Sequence, residues 1–84
     1  MKCIAIFDSG NHVYKLDAAL EKKGYKFEVV SIPCHIAKGG CGLCLLFPEE
    51  FLEIVVAGAK ENNTPIKEVY RVVPKYSRNK YKRI

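Results

Sequence analysis

The sequence has no long apolar run. None of its stretches approaches the roughly 20 consecutive apolar residues of a membrane-spanning helix. The first ten residues, MKCIAIFDSG, also lack the apolar length and the small-residue cleavage site of a secretory signal peptide. We therefore expect a cytoplasmic protein with no membrane partner, in which reducing conditions disfavour structural disulfides. The four cysteines are then expected to be metal ligands, reactive thiols or small core residues.

Acidic residues are missing from the last ten positions. Residues 75–84 contain five basic side chains, whereas the rest of the chain has nine basic and nine acidic ones, so the net charge of +5 belongs to this segment. We expect residues 1–76 to form a single α+β domain and residues 77–84 to form a solvated, partly disordered basic tail. A chain of 84 residues buries only a modest core, so a homodimer or a bound metal would supplement its stability.

The basic tail also bears on nucleic-acid binding. Tyr76 and Tyr81 alternate there with basic residues, a pattern that can combine backbone contacts with base stacking. RNA-recognition domains need aromatic side chains on the central strands, and the first predicted strand offers only Phe7. The sequence therefore argues against a nucleic-acid partner. An interpretation between nucleic-acid binding and a disordered tail is that this segment is an arm that docks on an acidic partner enzyme.

Apolar periodicity predicts the order βαββαβ. The predicted elements are strands over 3–7, 25–32, 43–47 and 66–73, and helices over 12–23 and from Pro48 to the Asn62–Pro65 turn. This order is typical of a ferredoxin-like split-βαβ sandwich, a four-stranded antiparallel sheet with two helices on one face. In that topology the turn before helix one lies at the same sheet edge as the loop between strands two and three. We therefore expect an anion-stabilising edge beside that loop, formed by Ser9, Gly10, Asn11 and His12.

The loop itself concentrates the reactive residues. Ser31 to Phe47 contains three of the four cysteines and one of the two histidines. Cys41 is flanked by Gly40 and Gly42, which frame it and let the backbone approach a ligand closely. A thiol beside a helix N-terminus is shifted toward thiolate, the nucleophilic form. The alternative is that Cys41 is only a small residue in a tight loop, and Ser9 only a helix cap.

Cys41 and Cys44 have the C-x-x-C spacing of redox motifs. In redox proteins the pair usually precedes a helix, whereas here it leads into a strand. Strand alternation predicts that Cys44 is partly buried. One interpretation is that Cys44 acts as a resolving thiol, and Cys34 is a further thiol of the same loop. Cys3, in the first strand, is expected to be a core residue.

A metal site is the alternative use of the same loop. Cys34, His35, Cys41 and Cys44 are four candidate ligands for zinc or iron within eleven residues. Adjacent side chains on an extended chain point apart, which makes Cys34 and His35 an awkward pair.

Residues 4 to 73 resemble the selenium/sulfur carrier-like family of small bacterial and archaeal proteins. The resemblance includes the first strand with its serine turn (Ile4 to Ser9), a charged first helix, and a second strand that closes at Ile32-Pro33. Its most specific part is Cys41-Gly42-Leu43, which opens the third strand. The resemblance implies that Cys41 and Gly42 form the carrier site.

The chain departs from that family at one point. The family usually has a Pro-Arg pair where this chain has Pro33-Cys34, so a basic group expected near the site is missing. His35 or Lys38 could substitute for it.

The resulting hypothesis is a thiol-based carrier rather than an enzyme with its own turnover. It would accept sulfur or selenium on Cys41 from a donor protein, without a cofactor, and deliver the atom to a partner enzyme. The alternative is a small metal-binding (Cys/His) or protein-interaction module without covalent chemistry.

Overall fold

The chain folds into two helices and a β-sheet. The computed structural model describes residues 1–32, 42–74 and 79–84. The elements in chain order are β1 (Lys2–Phe7), α1 (Gly10–Lys22), β2 (Glu28–Ser31), β3 (Leu43–Pro48), a 3₁₀ turn (Glu49–Phe51), α2 (Leu52–Glu61), β4 (Ile66–Pro74) and β5 (Asn79–Arg83). Neither described helix is long and apolar enough to cross a membrane.

The strand order confirms the predicted fold. The described strands form one sheet in the order β2-β3-β1-β4-β5, and each neighbouring pair is antiparallel. Strands β1 to β4 have the spatial order of the split-βαβ fold, with β1 and β3 in the centre. The described sheet has five strands rather than the four that the sequence predicted.

The fifth strand corrects the prediction for the C-terminal segment. β5 pairs with β4 from Pro74↔Asn79 to Tyr70↔Arg83, and the Ile84 N–H donates to the Val69 carbonyl at 2.9 Å. The expectation of a partly disordered tail is therefore wrong for Asn79–Arg83. The physical reason is that β4, nine residues long, would otherwise present a long unpaired edge.

Two sequence-predicted boundaries also shift. β2 begins at Glu28 and not at Tyr25, because the Tyr25 N–H donates to the Leu20 carbonyl and helps to end α1. Pro48 is the last residue of β3, and the 3₁₀ turn separates it from α2. Gly24, just after α1, takes the left-handed conformation that is common after a helix, with a φ of 93°.

The main core lies between the helices and one face of the sheet, here called the helix face. The helices contribute Val13, Leu16, Leu20, Val55 and Ala59, and the strands contribute Cys3, Ala5, Phe7, Leu45 and Phe47. Gly58 lets the helices approach closely, since a Cβ there would lie 3.0 Å from Leu20 Cδ2. Ile4, Ile6 and Cys44 form a second buried cluster on the opposite face of the sheet.

Candidate functional site

The start of α1 lies at the sheet edge where β3 begins. A Cβ added to Gly10 would lie 3.6 Å from Leu43 Cδ1, which is ordinary van der Waals contact. The Gly42 carbonyl accepts a hydrogen bond from the Ile32 N–H at 2.8 Å, so β2 and β3 come together at the same edge. The start of α1 therefore lies near Leu43, at the edge of the sheet where β3 begins, which is the edge that the topology predicted.

Ser9 caps α1, as the sequence predicted. It has an extended backbone (φ −149°, ψ 158°), and its Oγ accepts a hydrogen bond from the His12 N–H at 3.4 Å. The Ser9 carbonyl accepts from the same N–H at 3.2 Å. The N–H groups of the first helical residues, Gly10 and Asn11, have no partner inside a helix. This end of α1 thus presents the positive pole of the helix dipole to the edge beside Leu43.

The His12 side chain is half-buried in the first turn of α1. Its Nδ1 atom is shielded from solvent and has no hydrogen-bond partner in the described part of the chain. A polar atom that is withdrawn from water without a partner destabilises the fold, so such an atom needs an explanation. A group that approaches this edge could satisfy Nδ1, as donor or acceptor according to the imidazole tautomer.

Cys44 is fully buried on the face opposite the helices. Its exposed fraction is 0%, and it lies between Val30 on β2 and Ile6 on β1 in the sheet register. Burial raises the pKa of its thiol from 9.0 to about 11. The sequence predicted partial burial, and the structure shows that the burial is complete.

Cys3 is a core residue, as predicted. Its exposed fraction is 0%, and it lies on the helix face among the side chains of the main core. Burial raises the pKa of the Cys3 thiol, and the nearby Glu49 carboxylate raises it further. Neither described cysteine therefore has the features of a reactive thiol.

The remaining predicted site residues lie outside the described residues. These residues are Cys34, His35, Lys38, Gly40 and Cys41, so the carrier nucleophile stays a prediction. The metal alternative has the same status, because only Cys44 of its four ligands is described. Within residues 1–32, 42–74 and 79–84, no group of three or more His, Cys, Asp or Glu side chains could hold a metal ion.

A shallow groove lies at the same sheet edge as the α1 start. β4 begins there, with Ile66 opposite Phe7 of β1. The groove has a volume of about 460 Å³ and is lined by Val56, Ala59, Lys60, Asn63, Pro65 and Ile66. The sequence does not predict this groove.

An ion pair that sequence reasoning missed lies at the other end of the sheet. Arg71 Nε donates to Glu49 Oε1 at 2.7 Å and Arg71 Nη2 donates to Glu49 Oε2 at 3.0 Å. These hydrogen bonds hold the pKa of the Glu49 carboxyl below its usual value. The sequence does not predict this pair, because the pairing depends on a register between residues 22 positions apart.

These features define a small α+β protein of the split-βαβ class, in which the first helix begins beside the start of β3. The model of the family described as "Putative Se/S carrier protein-like" matches residues 2–71. The match covers most of the chain, so the protein belongs to this family. Comparison with curated proteins and with solved structures found no match.

Proposed function

We propose that this protein carries sulfur or selenium on the Cys41 thiol and delivers the atom to an acceptor protein. The observation that carries the proposal is membership of the carrier-like family, over a matched range that includes the Cys41-Gly42 pair. The family description names sulfur and selenium as the cargo, and it implies partner proteins that donate and accept the atom. The protein acts as a carrier, and its partners perform the turnover.

Loading is a thiolate reaction. The Cys41 thiolate attacks the terminal sulfur of a donor persulfide and forms a new S–S bond. The S–S bond of the donor breaks, and the electron pair remains on the donor sulfur as a thiolate. No net oxidation occurs, so the step needs no cofactor. Its rate depends on the thiolate fraction of Cys41 and therefore on the positive potential around it.

The geometry of the described edge supports this chemistry. The α1 N-terminus lies near Leu43, two residues beyond Cys41 in sequence, and a helix N-terminus stabilises anions such as a thiolate or a persulfide anion. His12 Nδ1 supplies a shielded polar atom at the same edge. Ser9, Gly10 and Asn11 complete the helix end, and their role is electrostatic rather than covalent.

Gly42 has a steric role in the proposal. A Cβ at this position would lie 3.2 Å from Ile32 Cδ1, which is tighter than ordinary contact. A larger residue would require the Ile32 side chain to shift by a few tenths of an ångström, next to the hydrogen bond between the Ile32 N–H and the Gly42 carbonyl. Gly40 is proposed to frame Cys41 on its other side.

The test is to load the protein with a small-molecule persulfide and to map the added sulfur by mass spectrometry. We expect one added sulfur atom on Cys41 in the wild-type protein and none in Cys41→Ser. Cys34→Ser is the matched control, because it removes a neighbouring thiol of the same loop and should still load. Normal loading of Cys41→Ser would refute the proposal.

A further inference from the structure

The two described thiols are enclosed on opposite faces of the sheet, and this limits how a loaded atom can leave. In a C-x-x-C dithiol the second cysteine attacks the first, forms an internal disulfide and expels the bound group. For a persulfide on Cys41, the Cys44 sulfur would bond to the Cys41 sulfur, and the terminal sulfur would leave as hydrogen sulfide with the Cys44 proton. This route requires Cys44 to be accessible and ionised.

The sheet register places the Cys44 side chain on the face opposite the start of α1. Leu43 belongs to the helix face, where its side chain lies near Gly10 at the start of α1. Cys44, the next residue, belongs to the cluster on the opposite face, because successive side chains of a strand alternate. The helix end that stabilises an anion thus lies on one side of the sheet, and the Cys44 sulfur lies on the other.

Cys44 cannot turn outward without breaking the sheet. β3 lies between β2 and β1, and Cys44 pairs with Val30 on one side and with Ile6 on the other. Its neighbours in the cluster are apolar or aromatic: Ile4, Ile6, Val30, Ile32, Leu46, Tyr70, Val72 and Tyr81. Exposure of the thiol would require loss of pairing on both sides and of this packing. The raised pKa of the buried thiol, about 11 in place of 9.0, independently lowers its thiolate fraction at neutral pH about a hundredfold.

Cys3 is excluded by position as well as by burial. It pairs with Phe47 and Arg71, three positions along β1 from Ile6, which pairs with Cys44. Three residues of a strand span about 10 Å. Cys3 therefore lies toward the end of the sheet away from the α1 start, inside the main core.

We propose that the Cys41–Cys44 pair does not act as a dithiol, and that the loaded carrier is consumed by a thiolate of an acceptor protein. The acceptor thiolate attacks the terminal sulfur on Cys41 and forms a new S–S bond to it. The Cys41 S–S bond breaks, the electron pair returns to Cys41 as a thiolate, and the terminal sulfur keeps its proton. The transferred atom thus moves as sulfane sulfur and is not lost as sulfide. This inference rests on the proposed function of Cys41.

The experiment compares Cys34→Ser with Cys34→Ser/Cys44→Ala after loading with a small-molecule persulfide and removal of the excess donor. The Cys34→Ser change leaves Cys44 as the nearest internal thiol in sequence. Intact mass under non-reducing conditions follows the loaded form with and without an added low-molecular-weight thiol. We expect equal persistence of the loaded form in both proteins, and equal acceleration of its loss by the added thiol. Loss of the sulfur atom with formation of a Cys41–Cys44 disulfide, in Cys34→Ser only, would overturn the inference.

Two further measurements make the outcome decisive. Alkylation of Cys44 in the native wild-type protein should be at least about tenfold slower than in urea-unfolded protein, because the higher nucleophilicity of a more basic thiolate partly offsets its lower fraction, and comparable rates would overturn the inference without any variant. A Cys34–Cys41 disulfide in loaded wild-type protein would overturn the requirement for an external acceptor. If Cys41 does not load, the proposed function fails, whereas the alkylation rate still decides whether Cys44 is closed to chemistry.

Discussion

Gly58 on α2 offers a sharp test of how the two helices pack above the sheet. An added Cβ would lie 3.0 Å from Leu20 Cδ2 and 3.3 Å from Leu16 Cδ1, and both leucines are almost completely buried and cannot swing into solvent. Overpacking of this kind costs about 1–3 kcal/mol, and replacement of a helical glycine by alanine returns about 1 kcal/mol. We therefore expect Gly58→Ala to lower the free energy of unfolding by about 0–2 kcal/mol. Gly58→Val adds two more methyl groups to the contact and should cost more.

The assay is urea unfolding followed by circular dichroism, with Ala57→Val as the matched control. Ala57 is exposed on the same helix, so the control contains the helix-propensity cost of valine, about 0.5 kcal/mol, without the steric cost. The matched comparison is the step from Gly58→Ala to Gly58→Val, which should cost about 2 kcal/mol more than Ala57→Val. If the two alanine-to-valine steps differ by less than about 0.5 kcal/mol, the close helix contact is not the reason for glycine at this position.

Three further predictions concern the sheet edge, an ion pair and the helix cap. Deletion of residues 79–84 should lower the thermal midpoint and promote self-association, because it uncovers the edge of β4 and removes Tyr81 from the apolar cluster. An unchanged thermal midpoint in a monomeric truncated protein would contradict this. Wild type should be more stable than Glu49→Gln, with the full difference present above the usual carboxyl pKa of 4.5. The difference should disappear as the pH falls through the lower folded-state pKa of Glu49, since protonation weakens the pair with Arg71. A difference in urea unfolding that does not depend on pH would exclude this. Ser9→Ala should cost about 0.5 kcal/mol in urea unfolding, at the low end for a cap because its 3.4 Å hydrogen bond is long, and a cost above about 2 kcal/mol would indicate a further role.

The parts of the fold that were predictable are those in which apolar spacing alone decides the element. Val13, Leu16 and Leu20 recur at helical intervals and are all buried, and Ser9 has the side chain that a helix start requires. β5 was missed because Tyr81 is the only aromatic residue among its basic neighbours, and its pairing depends on the exposed edge of β4. Such a strand is specified by its partner more than by its own sequence.

The site was predictable only where topology determines it. The order of the elements was sufficient to predict that the α1 start lies beside β3, and the proximity of Gly10 to Leu43 confirms this. The complete burial of Cys44 was not predictable, because it depends on a strand register and on neighbours from β1, β2 and β4. The Glu49–Arg71 pair was missed for the same reason, since neither residue indicates its distant partner.

The C-x-x-C spacing shows why a motif must be interpreted together with the element that follows it. Before a helix, this spacing places the two thiols one turn apart on the same side, where they can exchange. In this chain β3 begins at Leu43, and its alternation directs Leu43 toward α1 and Cys44 into the cluster on the opposite face. The start of α1 lies on the helix face, whereas the Cys44 thiol lies on the opposite face of the sheet. The C-x-x-C spacing therefore predicts a dithiol before a helix, whereas before a central strand it buries the second cysteine in the sheet.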